Sequence, residues 1–201
     1  MIAIIDYDAG NMKSVEKALA FLGADFVVTR DPDELKKADK LILPGVGAFG
    51  DAMHALDSFG LTEVIKNLVS GGKPILGICL GMQLFFEESE ESPGVKGLSL
   101  LPGKIVKFSS EHGLKIPQIG WNSLDIVKES ALFDGVKDGS FVYFVHSYYL
   151  KAGDERIVAA CCDYGDHVHA AVEWNNIYAC QFHPEKSSET GLRILKNYIS
   201  L

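Results

Sequence analysis

The stretch Pro74-Ile75-Leu76-Gly77-Ile78-Cys79-Leu80-Gly81-Met82-Gln83-Leu84-Phe85-Phe86 decides the fold. Pro74 to Ile78 is a short apolar run of strand type, and Leu80 to Glu88 follows at once with a helical pattern. A strand that feeds straight into a helix is the building unit of a parallel sheet. The junction, Gly77-Ile78-Cys79-Leu80-Gly81, has the form Gly-x-nucleophile-x-Gly. There it predicts a sharp elbow: glycines two residues to either side let neighbouring backbone approach, and Cys79 projects at the carboxyl end of the strand. Open α/β sheets hold their ligands at that edge, and a helix N-terminus favours the thiolate, the reactive form. A buried structural cysteine flanked by glycines for close packing fits the pentapeptide equally well.

Working outward, the same alternation recurs. Ile2 to Ile5 reads as a buried strand, and Val15, Ala18, Leu19 and Leu22 recur at helical spacing before the stop signal Gly23. Phe26 to Thr29 is strand-like, Pro32 to Ala38 a short helix and Lys40 to Leu43 a strand. Two amphipathic segments fill Ala48 to Ser70. This order predicts an α/β fold with right-handed βαβ units, a mostly parallel, doubly wound central sheet and helices on both faces. After Pro102 the character changes. Lys104 to Phe108, Phe141 to Val145, Ile157 to Cys162, Ala170 to Trp174 and Tyr178 to Phe182 are strand-like with few helices between them. They read as antiparallel additions and hairpins, with Asn175-Asn176 as a turn, before a closing helix from Ser188 to Ile199. With no repeat, low-complexity tract or Pro/Gly/Ser linker, one domain over residues 1–201 is expected.

Composition narrows the function classes. The 201 residues are 47% hydrophobic and 23% charged, enough for one substantial core. Lys and Arg number 19 against 27 Asp and Glu, a formal net charge of -8. That mean field opposes nucleic acid and anionic lipid, and no basic run offsets it. The N-terminus lacks a basic flank and meets Asp6 before a signal-type apolar region forms. The most apolar stretch, Pro74 to Phe86, is too short to span a bilayer. Cys79, Cys161, Cys162 and Cys180 show no Cys-x-x-Cys spacing, so reduced thiols in a cytoplasmic compartment are expected.

Two further pieces join the elbow. Gln181-Phe182-His183-Pro184-Glu185 lies at the end of a predicted strand. A cysteine nucleophile needs a base for activation and an acid for the leaving amine, and imidazole serves as both. Glu185 is placed to hold one ring nitrogen of His183 and stabilise imidazolium. Alone, His-Pro-Glu also fits a surface loop. Together with Cys79 it completes a nucleophile, a base and an orienter. Pro44-Gly45-Val46-Gly47 ends the third strand, next to the elbow. Its backbone N–H groups suit an oxyanion, since glycine lets a peptide plane turn toward one. His167 and His169 form a His-x-His pair, but with no third ligand motif they read as a solvated strand or hairpin end, so no metal is expected. Cys161, Cys162 and Cys180 read as small apolar packing residues.

At these residues the chain resembles class I (triad) glutamine amidotransferase domains, a flavodoxin-like α/β fold. Within them it is similar to the glutaminase subunits of imidazole glycerol phosphate synthases. The resemblance runs essentially end to end. It takes in Gly10-Asn11, Pro44 to Gly50, Cys79 to Phe86, Glu87 to Glu91, Pro93 to Gly97, Gly120 to Asn122, Tyr143 to Tyr148 and Phe182 to Ser187. It implies Cys79, His183 and Glu185 as the catalytic triad and Gly45, Val46 and Leu80 as oxyanion donors. Gly47, Gln83, Glu91, Ser147 and Tyr148 are implied as the glutamine pocket, and Asn11, Trp121 and Lys186 as partner-interface residues. Gln118 stands where a histidine is common in this subfamily, a difference assigned to the partner-facing side.

The resemblance also implies the reaction: hydrolysis of glutamine to glutamate and ammonia through a thioester on Cys79, with no cofactor. The ammonia would pass to a (β/α)₈-barrel cyclase subunit in a heterodimer, since the chain holds too little further sequence for a synthase domain of its own. Alternatives are a glutaminase subunit for pyridoxal phosphate or anthranilate synthesis, which Pro-Gly-Val-Gly and Lys186 disfavour, and a cysteine hydrolase of esters or peptides, which Gln83 disfavours. A non-enzymatic homologue would be expected to lose a triad member.

Overall fold

The computed structural model describes residues 1–8, 10–110 and 113–201. Its first half alternates strand and helix as the periodicity predicts: β1 (Ile2–Ile5), α1 (Met12–Phe21), β2 (Phe26–Thr29), α2 (Pro32–Lys37), β3 (Lys40–Leu43), α3 (Phe49–Ser58), α4 (Leu61–Ser70), β4 (Ile75–Ile78) and α5 (Leu80–Gln83). The second half is rich in strands: β5 (Glu88–Ser89), β6 (Gly103–Lys107), β7 (Gln118–Ser123), β8 (Asp125–Ile126), β9 (Phe141–His146), β10 (Tyr148–Ala152), β11 (Val158–Tyr164), β12 (Asp166–Trp174) and β13 (Ile177–Cys180), before α6 (Ser188–Ser200).

The central sheet runs in the order β2-β1-β3-β4-β13-β12-β10-β6-β5, with β11 pairing β12 and β8. From β2 to β13 the neighbours are parallel; antiparallel pairing begins between β13 and β12. Both faces are covered, which explains why these strands read as unbroken apolar runs rather than alternating ones. Ala3 and Ile5 enter one core with Leu35, Met53, Leu56 and Ile65 from α2, α3 and α4. Ile2 and Ile4 point the other way, into a core with Val15 and Leu19 of α1 and Ile194 and Leu195 of α6. The sign of each side chain follows from the two-residue period of a strand.

Several expectations are corrected. The helix expected over Leu80 to Glu88 ends at Gln83. Phe85 and Phe86 N–H groups bond three residues back, to Met82 and Gln83, and the carbonyls of Leu84, Phe85 and Phe86 are taken by N–H groups of residues 98–101. A crossing segment therefore replaces the helical hydrogen bonds. Strands β7 and β10 were not anticipated. β7 pairs with β9 in a separate two-stranded sheet, and its Gln-Ile-Gly-Trp-Asn-Ser sequence has no clean alternation. The reading of His167 and His169 as both solvated holds only for His167. His169 is buried inside β12, where its Nδ1 accepts the Ala152 N–H at 3.1 Å. Gln118 is also buried, beneath the site rather than on a partner-facing surface. All four cysteines are free and buried. Among the described residues no helix is long and apolar enough to cross a membrane.

Candidate active site

β4 and β13 lie side by side in parallel register, Ile78 opposite Cys180. Cys79 therefore leaves the sheet beside Gln181, with His183 two residues further along. Cys79 takes φ 54°, ψ -110°, a positive-φ conformation outside the left-handed helical basin that an L-residue adopts only under constraint. Its N–H donates to the Cys180 carbonyl at 2.8 Å. A Cβ on Gly81 would collide with the Leu43 carbonyl, and one on Gly77 would lie 2.8 Å from Met82 backbone. Both elbow glycines are thus required by close backbone approach. α5 is a single turn, so the dipole at its N-terminus is weak.

His183 is buried, and its Nδ1 lies 2.7 Å from Glu185 Oε1. Its backbone is fixed at both ends: N–H to Tyr143 carbonyl at 2.9 Å, and carbonyl accepting from Ser187 Oγ at 2.6 Å. Nε2 makes no hydrogen bond in the resting chain, although Cys79 acts on the ring strongly. Burial opposes the charged imidazole most, yet the nearby Cys79 sulfur and the Glu185 carboxylate, hydrogen-bonded to Nδ1, outweigh it and raise the pKa to about 9. Glu185 Oε1 also accepts from Asn11 Nδ2 at 2.9 Å, and Asn11 Oδ1 accepts from Ser14 Oγ at 2.9 Å. Asn11, expected at a partner interface, thus bears directly on the triad carboxylate. Trp121 and Lys186 are exposed.

Cys79 opens into a cavity of about 280 Å³ lined by Val46, Gly47, Leu80, Gln83, Glu91, Pro117, Val145, His146, Ser147 and Tyr148. Every residue expected in the glutamine pocket is in this wall. Gln83 Nε2 donates to the Tyr148 carbonyl at 3.0 Å and to Gln181 Oε1 at 2.9 Å. Both amide hydrogens are used, which leaves its carbonyl oxygen for a ligand. Glu91 Oε2 accepts the Phe49 N–H at 2.8 Å, leaving a carboxylate at the cavity edge. Gln181 was missed by the sequence reading. It is fully buried and its Nε2 donates toward Cys79 Sγ at 3.7 Å; its place just before Phe182-His183 was the available signal. A larger cleft of about 760 Å³ along residues 126–138 has neither cysteine nor histidine in its lining.

His146, the alternative base, is held otherwise. Burial pushes its pKa down to about 4. Nδ1 is 2.8 Å from the Tyr148 carbonyl and must donate to it, so the neutral ring's Nε2 is an acceptor. Gln118, 2.9 Å from Nε2, must then present its amide NH₂ there. Both ring nitrogens are occupied.

Comparisons with known proteins bear on the family and the fold. The chain is 53% identical over 98% of its length, and 93% of the relative's, to "Imidazole glycerol phosphate synthase subunit HisH" of Bacillus cereus (strain G9842). A protein of the same name from Methanothermobacter thermautotrophicus is 51% identical over 100% of this chain and 98% of its own. Among solved structures, a glutamine amidotransferase superposes with TM-score 0.78 at 18% identity over the whole of both chains. PurLQS from Thermotoga maritima gives 0.76 at 21% over 99% of this chain and 97% of its own; at these identities the likeness speaks for the fold. The model of "Glutamine amidotransferase class-I" matches residues 3–200, and the chain belongs to the class-I glutamine amidotransferase family.

Proposed function

We propose that this chain is the glutaminase subunit of an imidazole glycerol phosphate synthase, working in the cytoplasm and delivering ammonia to a cyclase subunit for histidine biosynthesis. The observation that carries the chemistry is the strained Cys79 beside a buried His183–Glu185 pair, open to a small cavity whose wall includes Gln83 and Glu91. The relatives' name carries the pathway.

Glutamine enters with its carboxamide toward Cys79, its head group among Glu91, Ser147 and Tyr148, and Gln83 and Gly47 along its side. The Cys79 thiolate bonds the carboxamide carbon, and the carbonyl electron pair moves onto oxygen. Backbone N–H groups of the Gly45–Val46 segment and Leu80 meet that charge. As the C–N bond breaks, His183 imidazolium gives its proton to nitrogen and ammonia leaves. The neutral imidazole then takes a proton from water while the hydroxide attacks the thioester. Collapse expels the Cys79 thiolate beside a restored imidazolium. The new carboxyl group loses its proton to solvent as glutamate departs.

The test is glutamate release by the purified chain, with and without a cyclase subunit. Turnover that rises on adding the barrel supports both halves of the proposal. No hydrolysis under either condition would exclude the glutaminase assignment, and hydrolysis indifferent to any cyclase subunit would exclude the partnership.

A further inference from the structure

Tyr7 lies outside the triad, the pocket and the loop donors, yet its hydroxyl is built into the site. It is 2% exposed, and Oη donates to the Pro44 carbonyl at 2.7 Å. The placement follows from topology. β1 and β3 are parallel neighbours, Ile4 opposite Ile42, so the residues just past each strand, Tyr7 and Pro44, emerge together. No other donor among the described residues reaches the Pro44 oxygen. A buried acceptor with one partner is costly to leave unpaired. Burial and the neighbouring Cys79 both raise the Tyr7 pKa, so the hydroxyl remains a proton donor throughout the working range.

The Pro44 carbonyl shares a rigid plane with the Gly45 N–H. Fixing the oxygen fixes that plane. On its far side Gly47 sits at φ 109°, in the region reserved for glycine. Between these two points the Gly45–Val46 peptide is the unit free to turn. Gly45 is wedged between Tyr7 and the elbow: a Cβ there would strike the Tyr7 oxygen and come within 3.1 Å of Leu80 Cβ and 3.3 Å of Gly81 N. The hydroxyl therefore sets the height of the loop over Cys79 and Leu80.

The geometry points to Tyr7 as a positioning residue of the oxyanion loop, one that holds the Pro44–Gly45 plane so that the Gly45–Val46 N–H can be presented to the developing oxyanion. This rests on the glutaminase reading above. It makes Tyr7 specific to the step in which negative charge forms on oxygen, and indifferent to glutamine binding and to the nucleophilicity of sulfur.

The test is Tyr7→Phe, which removes one oxygen and keeps the ring in the core, compared with wild type in the presence of saturating cyclase subunit. Three quantities are read: kcat for glutamine, the affinity for glutamate, and the rate at which iodoacetamide alkylates Cys79. Alkylation forms an S–C bond as iodide leaves with the C–I pair, so no oxyanion develops. The expected result is a kcat lowered roughly tenfold, a fraction of the ~10²–10³ lost with a whole oxyanion donor, with glutamate affinity and alkylation rate unchanged. An unchanged kcat overturns the proposal. So does a parallel loss of all three, including through a chain that no longer folds, because that is a general structural role. An inactive wild type would instead indict the glutaminase reading, so the two failures are distinguishable.

Discussion

Cys79 combines a reactive sulfur with a backbone conformation, φ 54° and ψ -110°, that its Cβ resists. Two outcomes follow from separating these. Cys79→Ala should abolish glutamine hydrolysis while leaving the fold intact, and an electrophilic glutamine analogue should label wild-type Cys79 before the three other cysteines. Cys79→Gly should be equally inactive but more stable than Cys79→Ala by about 1–3 kcal/mol, the cost of holding a non-glycine residue in a sparsely populated region, as read in urea melts. His183 offers a second outcome. Its pKa is raised to about 9 against the pull of burial, by Cys79 and Glu185. The imidazolium that the proposed mechanism uses as its acid therefore persists well above the ordinary histidine value of about 6.5 and is lost as pH rises through about 9. The alkaline limb of kcat/KM should fall there. Glu185→Gln removes a charge that raises the pKa, so the limb should move to lower pH; an unmoved limb would detach Glu185 from the titration. At this scale the gathering of Cys79, His183 and Glu185 was legible in sequence because the three sit in two short contiguous motifs. Asn11, Tyr7 and Gln181 were not, since their roles depend on which strands become neighbours.

Elements place these residues, and the elbow shows how tightly. β4 turns into α5 against the end of β3, with no room for a side chain at Gly81, whose Cβ would run into the Leu43 carbonyl. Backbone cannot step aside as a flexible side chain can. Gly81→Ala should therefore destabilise the chain by roughly 1–3 kcal/mol, the usual range for overpacking, and should depress turnover beyond that because the elbow shifts. Gly47→Ala, where a Cβ meets nothing within 4 Å, should cost only the backbone strain of φ 109°. Equal losses in the two variants, measured by denaturant midpoint, would show that steric room is not what the elbow glycines supply. The parallel half of the fold was readable because each strand is an apolar run bounded by a helix with its own face. Even the α2 start is local: Pro32 at the first position and Asp31 accepting the Asp33 N–H at 2.8 Å. α5 was overestimated because its apolar run continues past Gln83, while hydrogen bonds from residues 98–101 end the helix. A partner remote in sequence leaves no periodicity behind.

At the scale of the whole molecule, the working groups come from the carboxyl ends of three neighbouring parallel strands, β3, β4 and β13, plus the β9–β10 corner. The oxyanion loop is the most exposed of these parts: Val46 is 37% accessible, and Ile119, Trp121 and Phe141 on the nearby two-stranded sheet are 62%, 53% and 57% accessible. A chain with its triad buried and its loop at the surface is suited to control by a partner that touches the loop. Glycine on both sides of Val46 allows the Gly45–Val46 peptide two orientations, only one of which aims an N–H at the oxyanion. If the isolated chain favours the other, it binds glutamine yet turns it over slowly. Docking of a cyclase subunit then shifts the population toward the competent orientation. One oxyanion donor is worth ~10²–10³ in kcat, so activation should reach at least that order and fall on kcat rather than KM, because the pocket wall of Gln83, Ser147 and Tyr148 is already formed. Gly45→Pro or Gly47→Pro should blunt the response, since proline fixes φ and removes an N–H. Steady-state hydrolysis by the chain alone, then saturated with cyclase subunit, decides the matter: full activity in isolation, unchanged by the barrel, would remove the loop from the control of turnover and leave Gly45 to its lack of room and Gly47 to its positive φ.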